Sequence, residues 1–351
     1  MMVTQVVLFH SRQRSALAPW ARMLVRLTVI TLAIPVALPL LVVPLAAEAQ
    51  PAGKIALVGV LSPGSQPLGL LEAFRQGLRE RGYVEGRNLK IEWRFAEGRN
   101  ERLPQLASEL VGLKVDVIFA INTQAAQAAK SASGTIPIVI ARVADPVRSG
   151  LVASLARPGG SVTGLSAITE ELSAKRLQLL KEALPKAVRV AVVWNSGNPG
   201  VAIVVREMEV ASTQLGMQLQ VLPARGADDL PKAFEAITNG RADVLFVLDD
   251  VLITSHKRRV LDWATKNHLP VISLYREFSE AGALIAYGPS IREMYRRAAY
   301  FVDKILQGAK PGDLPVEQPT RFELVINIKT AKELGLTIPQ SLLLRADEII
   351  Q

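Results

Sequence analysis

From Lys54 onward, short runs of β-branched and aliphatic residues alternate with longer stretches in which apolar residues recur every three to four positions. The runs predict strands at residues 55–61, 89–93, 115–121, 136–141 and 162–165. A second series follows at 188–194, 219–222, 244–248, 271–274 and 283–287. Most of these runs are apolar throughout, as strands covered by helices on both faces require. Strand–helix alternation of this kind predicts an α/β fold with parallel sheets.

The intervening stretches carry helix end signals. Leu71, Phe74 and Leu78 recur at helical spacing, and Gly82 stops that helix. Asp145-Pro146 and Asn198-Pro199 each set a capping side chain before a proline at the first helical position. Ser290 and Glu293 form a capping box, opening a helix that buries Met294, Ala298, Phe301, Val302 and Ile305 and ends at Gly308.

The pattern also repeats. Leu103-Pro104, a helix and Val115-Asp116-Val117-Ile118-Phe119 return 127 residues later as Leu230-Pro231, a helix and Ala242-Asp243-Val244-Leu245-Phe246. Ile55 to Val58 match Val190 to Val193 at an offset of 135, and Ile136-Pro137-Ile138-Val139 match Leu269-Pro270-Val271-Ile272 at 133. Three ordered matches at nearly one offset predict two copies of one α/β unit.

The first fifty residues break this pattern. Arginines precede a long apolar run that ends at Ala47-Glu48-Ala49, the order of a secretory signal with cleavage after Ala49. Pro35, Pro39 and Pro44 argue against a membrane-spanning helix in that run. Residues 1–49 are therefore expected to be a signal peptide that sends the protein to the periplasm, with Met23 an alternative start. The chain has 351 residues and no cysteine, which excludes disulfides, thiolate metal sites and cysteine nucleophiles. Of the formal charge of +9, the first 49 residues carry +3. Elsewhere, cations and anions interleave without a basic block, so no nucleic-acid partner is expected.

In open parallel sheets, ligands sit beyond the carboxyl ends of the strands. The residues just past those ends are the candidate ligand contacts: Ser62, Asn122, Thr123, Gln124, Asp145 and Ser166 in the first half, and Trp194, Asn195, Asp249, Asp250, Tyr275, Glu277 and Tyr287 in the second. A helix starting at Gln124, helped by the Thr123 hydroxyl, would aim its free N–H groups at an anion. Asp249 or Asp250 would hold an ammonium, and Trp194, Tyr275 and Tyr287 would offer aromatic faces. One rim thus presents neutral donors and the other carboxylates, which points to a ligand with a carboxylate and an amine.

The bland readings weigh against chemistry. Pro158-Gly159-Gly160 lacks the order of a phosphate loop and reads as a turn before a crossover strand. His256 and His268, the only histidines after the leader, are expected in helices, with no clustered ligands for a metal. None of Ser62, Ser166 and Ser196 sits in a nucleophile elbow. No catalytic residue, metal or cofactor is assigned. Trp93 and Trp263 read as packing residues, and Asp145 and Thr123 would cap helices with or without a ligand.

The order of motifs resembles the extracytoplasmic solute-binding proteins of ABC importers with a type I periplasmic-binding fold, nearest the subgroup that includes tryptophan- and tyrosine-binding members. The resemblance runs through Gly82-Tyr83-Val84-Glu85-Gly86-Arg87-Asn88, Thr123 to Ala126, Asp145-Pro146, Gly150-Leu151-Val152, Arg157 to Gly164, Tyr287-Gly288, Lys304 to Gly308 and Leu324 to Asn327. It implies two doubly wound lobes joined by three crossovers near residues 165, 287 and 315. One lobe would hold 54–165 with 288–315, and the other 166–287 with 316–345. It further implies a monomer that closes on a small amino-acid-like solute, aromatic or branched, and presents it to an inner-membrane ABC permease. A sensory module that hands ligand occupancy to a signalling receptor would need the same cleft and stays open as an alternative. Many relatives carry Thr-Asp-Asn where this chain has Asp249-Asp250-Val251, and the loop from Ser62 to Pro67 lacks a histidine often found there.

Overall fold

The computed structural model describes residues 55–65, 68–167, 170–248 and 250–351. The expected leader and Asp249 lie outside them. The first half lays down β1 (Ala56–Ser62), α1 (Leu68–Arg79), β2 (Leu89–Phe95), α2 (Leu103–Gly112) and β3 (Val117–Ile121). It continues with α3 (Thr123–Ala132), β4 (Ile138–Val143) and β5 (Val162–Ser166). These strands form one parallel sheet in the order β2-β1-β3-β4-β5.

The second half opens with α4 (Glu170–Ala183), β6 (Arg189–Asn195), α5 (Pro199–Gln214), β7 (Gln218–Ala224), α6 (Leu230–Asn239) and β8 (Val244–Val247). Then come α7 (Val251–Ser255), α8 (Lys257–Lys266), β9 (Val271–Ser273), α9 (Arg276–Ser279) and β10 (Ile285–Pro289). Helix α10 (Ile291–Leu306) precedes β11 (Phe322–Asn327), α11 (Ile328–Glu333), α12 (Gln340–Leu343) and β12 (Glu348–Ile350). The second sheet has the order β12-β11-β10-β9-β8-β6-β7. Its β7-β6-β8-β9-β10 portion repeats the order of the first sheet, so the sequence repeat is a repeat of topology. Every strand predicted from the apolar runs is present, β11 falls on the Leu324 to Asn327 stretch of the resemblance, and β12 was not expected.

Burial follows from position in the sheet. The inner strands β3, β4 and β8 are buried along their whole length, as is β5 at the end of the first sheet. The edge strands β2 and β7 are partly exposed, as their more polar sequences require. The repeated aspartate clamps the start of a neighbouring strand in each half. The Asp116 carboxylate accepts from Leu57 N at 2.9 Å, and that of Asp243 accepts from Val188 N at 3.0 Å and Arg189 N at 2.8 Å.

The chain passes three times between the sheets: after Ser166, after Pro289 and before Phe322. Helix α10 follows a strand of the second sheet yet packs on α1 and on β3 and β4 of the first. Phe119 stacks on Phe74 at 4.5 Å and meets Tyr295 edge-on at 5.6 Å, which anchors α10 there. Strand β11 then returns to the second sheet antiparallel to β10. This departs from the expected all-parallel sheet, because the chain re-enters the second sheet beside the end at which it left, Phe322 pairing with Pro289, so that β11 runs back along β10.

Local signals were met unevenly. Asn198 caps α5 through Gly200 N at 3.1 Å, and Ser290 caps α10 through Glu293 N at 3.4 Å. Asp145-Pro146 does not open a helix. The Asp145 carboxylate accepts from Val147 N and Arg148 N, but Gly150 at φ +70° and the bond from Leu151 N to Pro146 O close the segment as a turn. Thr123 does not cap α3 either. Asn122, at φ +78°, accepts from Gln124 N at 2.8 Å and takes that role. His256 joins α7 to α8, and His268 lies just past α8 at φ +52°, so both occupy helix ends rather than interiors.

Candidate functional site

Parallel strands with the same order place their carboxyl ends on one side of each sheet, and here those sides face each other. Ser62, Asn122 and the end of β4 come from the first sheet; Asn195, Asp250 and Tyr275 come from the second. Between them lies a cavity of ≈ 400 Å³, within the usual size of small-molecule sites. Ser62, Arg142 and Tyr295 line it from the first sheet and its helices. Thr254, Tyr275 and Glu277 line it from the second.

Arg142 is the residue that reading the strand ends missed. It is 6% exposed, sits at φ +59°, and lies where the register of β4 against β5 shifts between Ile140 and Val143. The irregularity turns its side chain out of the strand alternation and into the cavity. Its guanidinium reaches Thr254 Oγ1 at 3.4 Å and lies 5.3 Å from the centre of the Tyr275 ring. The backbone is at positive φ at both Asn122 and Arg142, on the ends of the adjacent strands β3 and β4. A signal was available in the sequence: Arg142 is the one charge inside the apolar run from Ile136 to Val143, and buried arginines are rare unless paired.

The candidate residues are distributed as follows. Ser62, Tyr275 and Glu277 line the cavity. Ser62 Oγ accepts from Gly64 N at 3.3 Å. Tyr275 is buried under Arg142, and one carboxylate oxygen of Glu277, Oε2, is buried without a hydrogen-bond partner. Asp250 is buried too, but its carboxylate accepts from Asn195 Nδ2 at 2.8 Å, Asn198 Nδ2 at 2.7 Å and Leu252 N at 2.8 Å. It therefore ties β6 and α5 to the start of α7. With Asp250 so engaged and Arg142 facing the cavity, the division into a neutral rim and an acidic rim does not describe the site. The first rim carries a cation.

Thr123, Gln124, Asn195 and Asn198 meet at a second contact between the two halves. Gln124 Nε2 donates to Gly197 O at 2.7 Å. A Cβ on Gly200 would lie 2.5 Å from Thr123 Oγ1 and 3.3 Å from the Ala144 methyl, so the two helix starts touch where glycine leaves room. On the far side of the cavity, a Cβ on Gly64 would lie 2.0 Å from Val251 Cγ1. Arg148 reaches across the same divide to Glu207 at 2.7 Å.

Like Asn122, Thr123, Gln124, Asn195 and Asp250, the remaining described candidates are not in the cavity lining. Trp194 shares a strand face with Val190 and Val192 and packs on their apolar cluster, its indole Nε1 buried without a partner. Tyr287 packs against Phe322 at 6.1 Å between ring centres. The Ser166 hydroxyl donates to Ala144 O at 3.4 Å within the crossover. Asp145 holds its own turn. Among the described residues, no three His, Asp or Glu side chains gather where they could hold a metal ion.

Comparison with known proteins gives a family match and similar relatives. A family model for ABC transporter substrate binding proteins covers residues 55–350. The chain is 32% identical over 266 residues to the tyrosine-binding protein of Clostridioides difficile strain R20291, which spans 76% of each chain. It aligns with the ABC domain from Streptococcus pneumoniae solved in complex with L-Trp at a TM-score of 0.79 and 27% identity, covering 85% of this chain and 100% of that one. Against the ligand-free, open structure of a substrate-binding protein with adhesive properties from Clostridium difficile, the TM-score is 0.60 at 28% identity, with 85% and 99% covered.

Proposed function

Because the chain belongs to the ABC transporter substrate-binding family, we propose that it captures one amino acid with an aromatic or branched side chain in the cavity between its two halves. Its fold is the type I periplasmic-binding fold, and the family implies a small solute, a permease partner and an extracytoplasmic location. The observation that carries the reading is Arg142, a buried guanidinium beside an aromatic ring. A fork of N–H donors in a dry site is the strongest side-chain receptor for a carboxylate, and Tyr275 and Tyr295 supply apolar walls for a side chain. Relatives that bind tyrosine and tryptophan support the same ligand class.

Two rigid units, 54–165 with 288–315 and 166–287 with 316–345, close about the three crossovers. The fit to the L-Trp complex is better than the fit to the open, ligand-free relative at nearly equal identity and coverage. The contacts at Gly64 and Gly200 and the Gln124–Gly197 bond are accordingly those of the closed form. A permease that recognises this form takes up the solute, and no covalent step is required. The protein works as a monomer, released into the periplasm by cleavage after Ala49.

Titration calorimetry against L-tyrosine, L-tryptophan, L-phenylalanine and L-leucine, with glucose as control, tests the reading. At least one amino acid is expected to bind, and Arg142→Gln is expected to weaken it by about ten- to a hundredfold, the worth of a charge-assisted hydrogen bond. Unchanged affinity in Arg142→Gln would remove the carboxylate assignment.

A further inference from the structure

Among the described residues, Glu277 is the sole acid lining the cavity, against Arg142, Lys257 and Arg292. Its Oε2 is shut off from solvent and has no hydrogen-bond partner. Two neighbouring cations are directed elsewhere. Lys257 Nζ donates to the main-chain carbonyl of Glu277 at 3.2 Å rather than to its carboxylate. Arg276, the preceding residue, pairs with Glu280, Glu323 and Glu348. Asp250, the acid that the strand-end reading favoured, is engaged by two asparagines and a helix N–H.

We propose that Glu277 receives the ammonium group of the ligand, so that the cavity selects zwitterions, with the carboxylate on Arg142 and the amine on Glu277. This rests on Arg142 as the carboxylate anchor. An ammonium would supply both the hydrogen bond that Oε2 lacks and a charge opposite to that of a carboxylate. Thr254 and Ser255, on the same wall as Glu277, offer hydroxyls for the remaining ammonium protons.

Calorimetry with L-tryptophan, indole-3-propionate and tryptamine on the wild type, Glu277→Gln and Glu277→Asp separates the claims. The wild type is expected to prefer L-tryptophan to indole-3-propionate by about ten- to a hundredfold. Glu277→Gln should reduce that preference to about threefold or less, and Glu277→Asp should keep part of it. The ligand-free melting temperature of Glu277→Gln should not fall, because no protein contact of Oε2 is lost. Equal wild-type affinity for L-tryptophan and its deaminated analogue, or a full preference surviving in Glu277→Gln, would overturn the ammonium seat alone. Tryptamine binding as tightly as L-tryptophan would overturn the carboxylate anchor. If neither this pair nor L-tyrosine and 3-(4-hydroxyphenyl)propionate binds, both assignments fall. A drop in the ligand-free melting temperature of Glu277→Gln would mark the side chain as structural and also overturn the proposal.

Discussion

Asp116 and Asp243 occupy matching places in the two halves and do the same work, each accepting main-chain N–H groups at the start of an adjacent strand. Burial raises the carboxyl pKa of Asp243, but the bonds from Arg189 N and Val188 N, with the Arg189 guanidinium, outweigh it and leave the group below its ordinary value. The native state therefore binds fewer protons than the unfolded chain at this site. Its contribution is complete above the ordinary aspartate range and is lost as pH falls through that range. Asp243→Asn is expected to cost about 1–2 kcal/mol at neutral pH and to flatten the acid limb of the stability curve below about pH 5. Urea titrations of both proteins across that range check this, and an unchanged acid limb would refute it. At the same scale, reading strand ends pointed to Ser62, Tyr275 and Glu277, which line the cavity; Ser62 ends β1, and the other two lie within four residues of the end of β9. It missed Arg142 because a residue inside a strand points into the cavity only where the register shifts.

The starts of α3 and α5 show what is settled between elements. The Asn198-Pro199 pair marked the start of α5 correctly, since the cap lies within four residues of chain. Which side chain of the other half would rest on that start is not a local matter, and Thr123 proves to fill the space beside Gly200. Gly200→Ala puts a methyl into that contact while remaining favourable for the helix itself. The variant is expected to keep its melting temperature but bind ligand more weakly, and to stay more extended when ligand is present, as read by small-angle scattering. Thr123→Ala in the same chain should restore closure. Equal radii of gyration for liganded wild type and Gly200→Ala would sink the idea that this contact belongs to the closed form. Trp194 and Tyr287 miss the cavity for a related reason: side chains on a strand alternate between faces, and theirs point to the packed side.

At the scale of the molecule, one apolar cluster runs through both halves, from Phe74 and Phe119 to Val192 and Phe246. Helix α10, entered from the second sheet and packed on the first, ties them further. The halves should therefore melt in a single transition, the same by near- and far-ultraviolet circular dichroism. Ligand at a hundred times its dissociation constant should add about 2.7 kcal/mol to stability and raise that one melting temperature. Two transitions, only one of which moves with ligand, would mean that the solute sits within one half instead of between them.

The sequence by itself determined the strands β1 to β10, the starts of α5 and α10, the duplicated topology and the family, because each depends on periodicity, capping or motif order within a short stretch of chain. Tertiary structure alone decided which strand-end residues face the cavity, that Asp250 is engaged by Asn195 and Asn198, and that Arg142 and Glu277 line the cavity. Those outcomes depend on register shifts and on partners more than fifty residues away, and no local pattern encodes them.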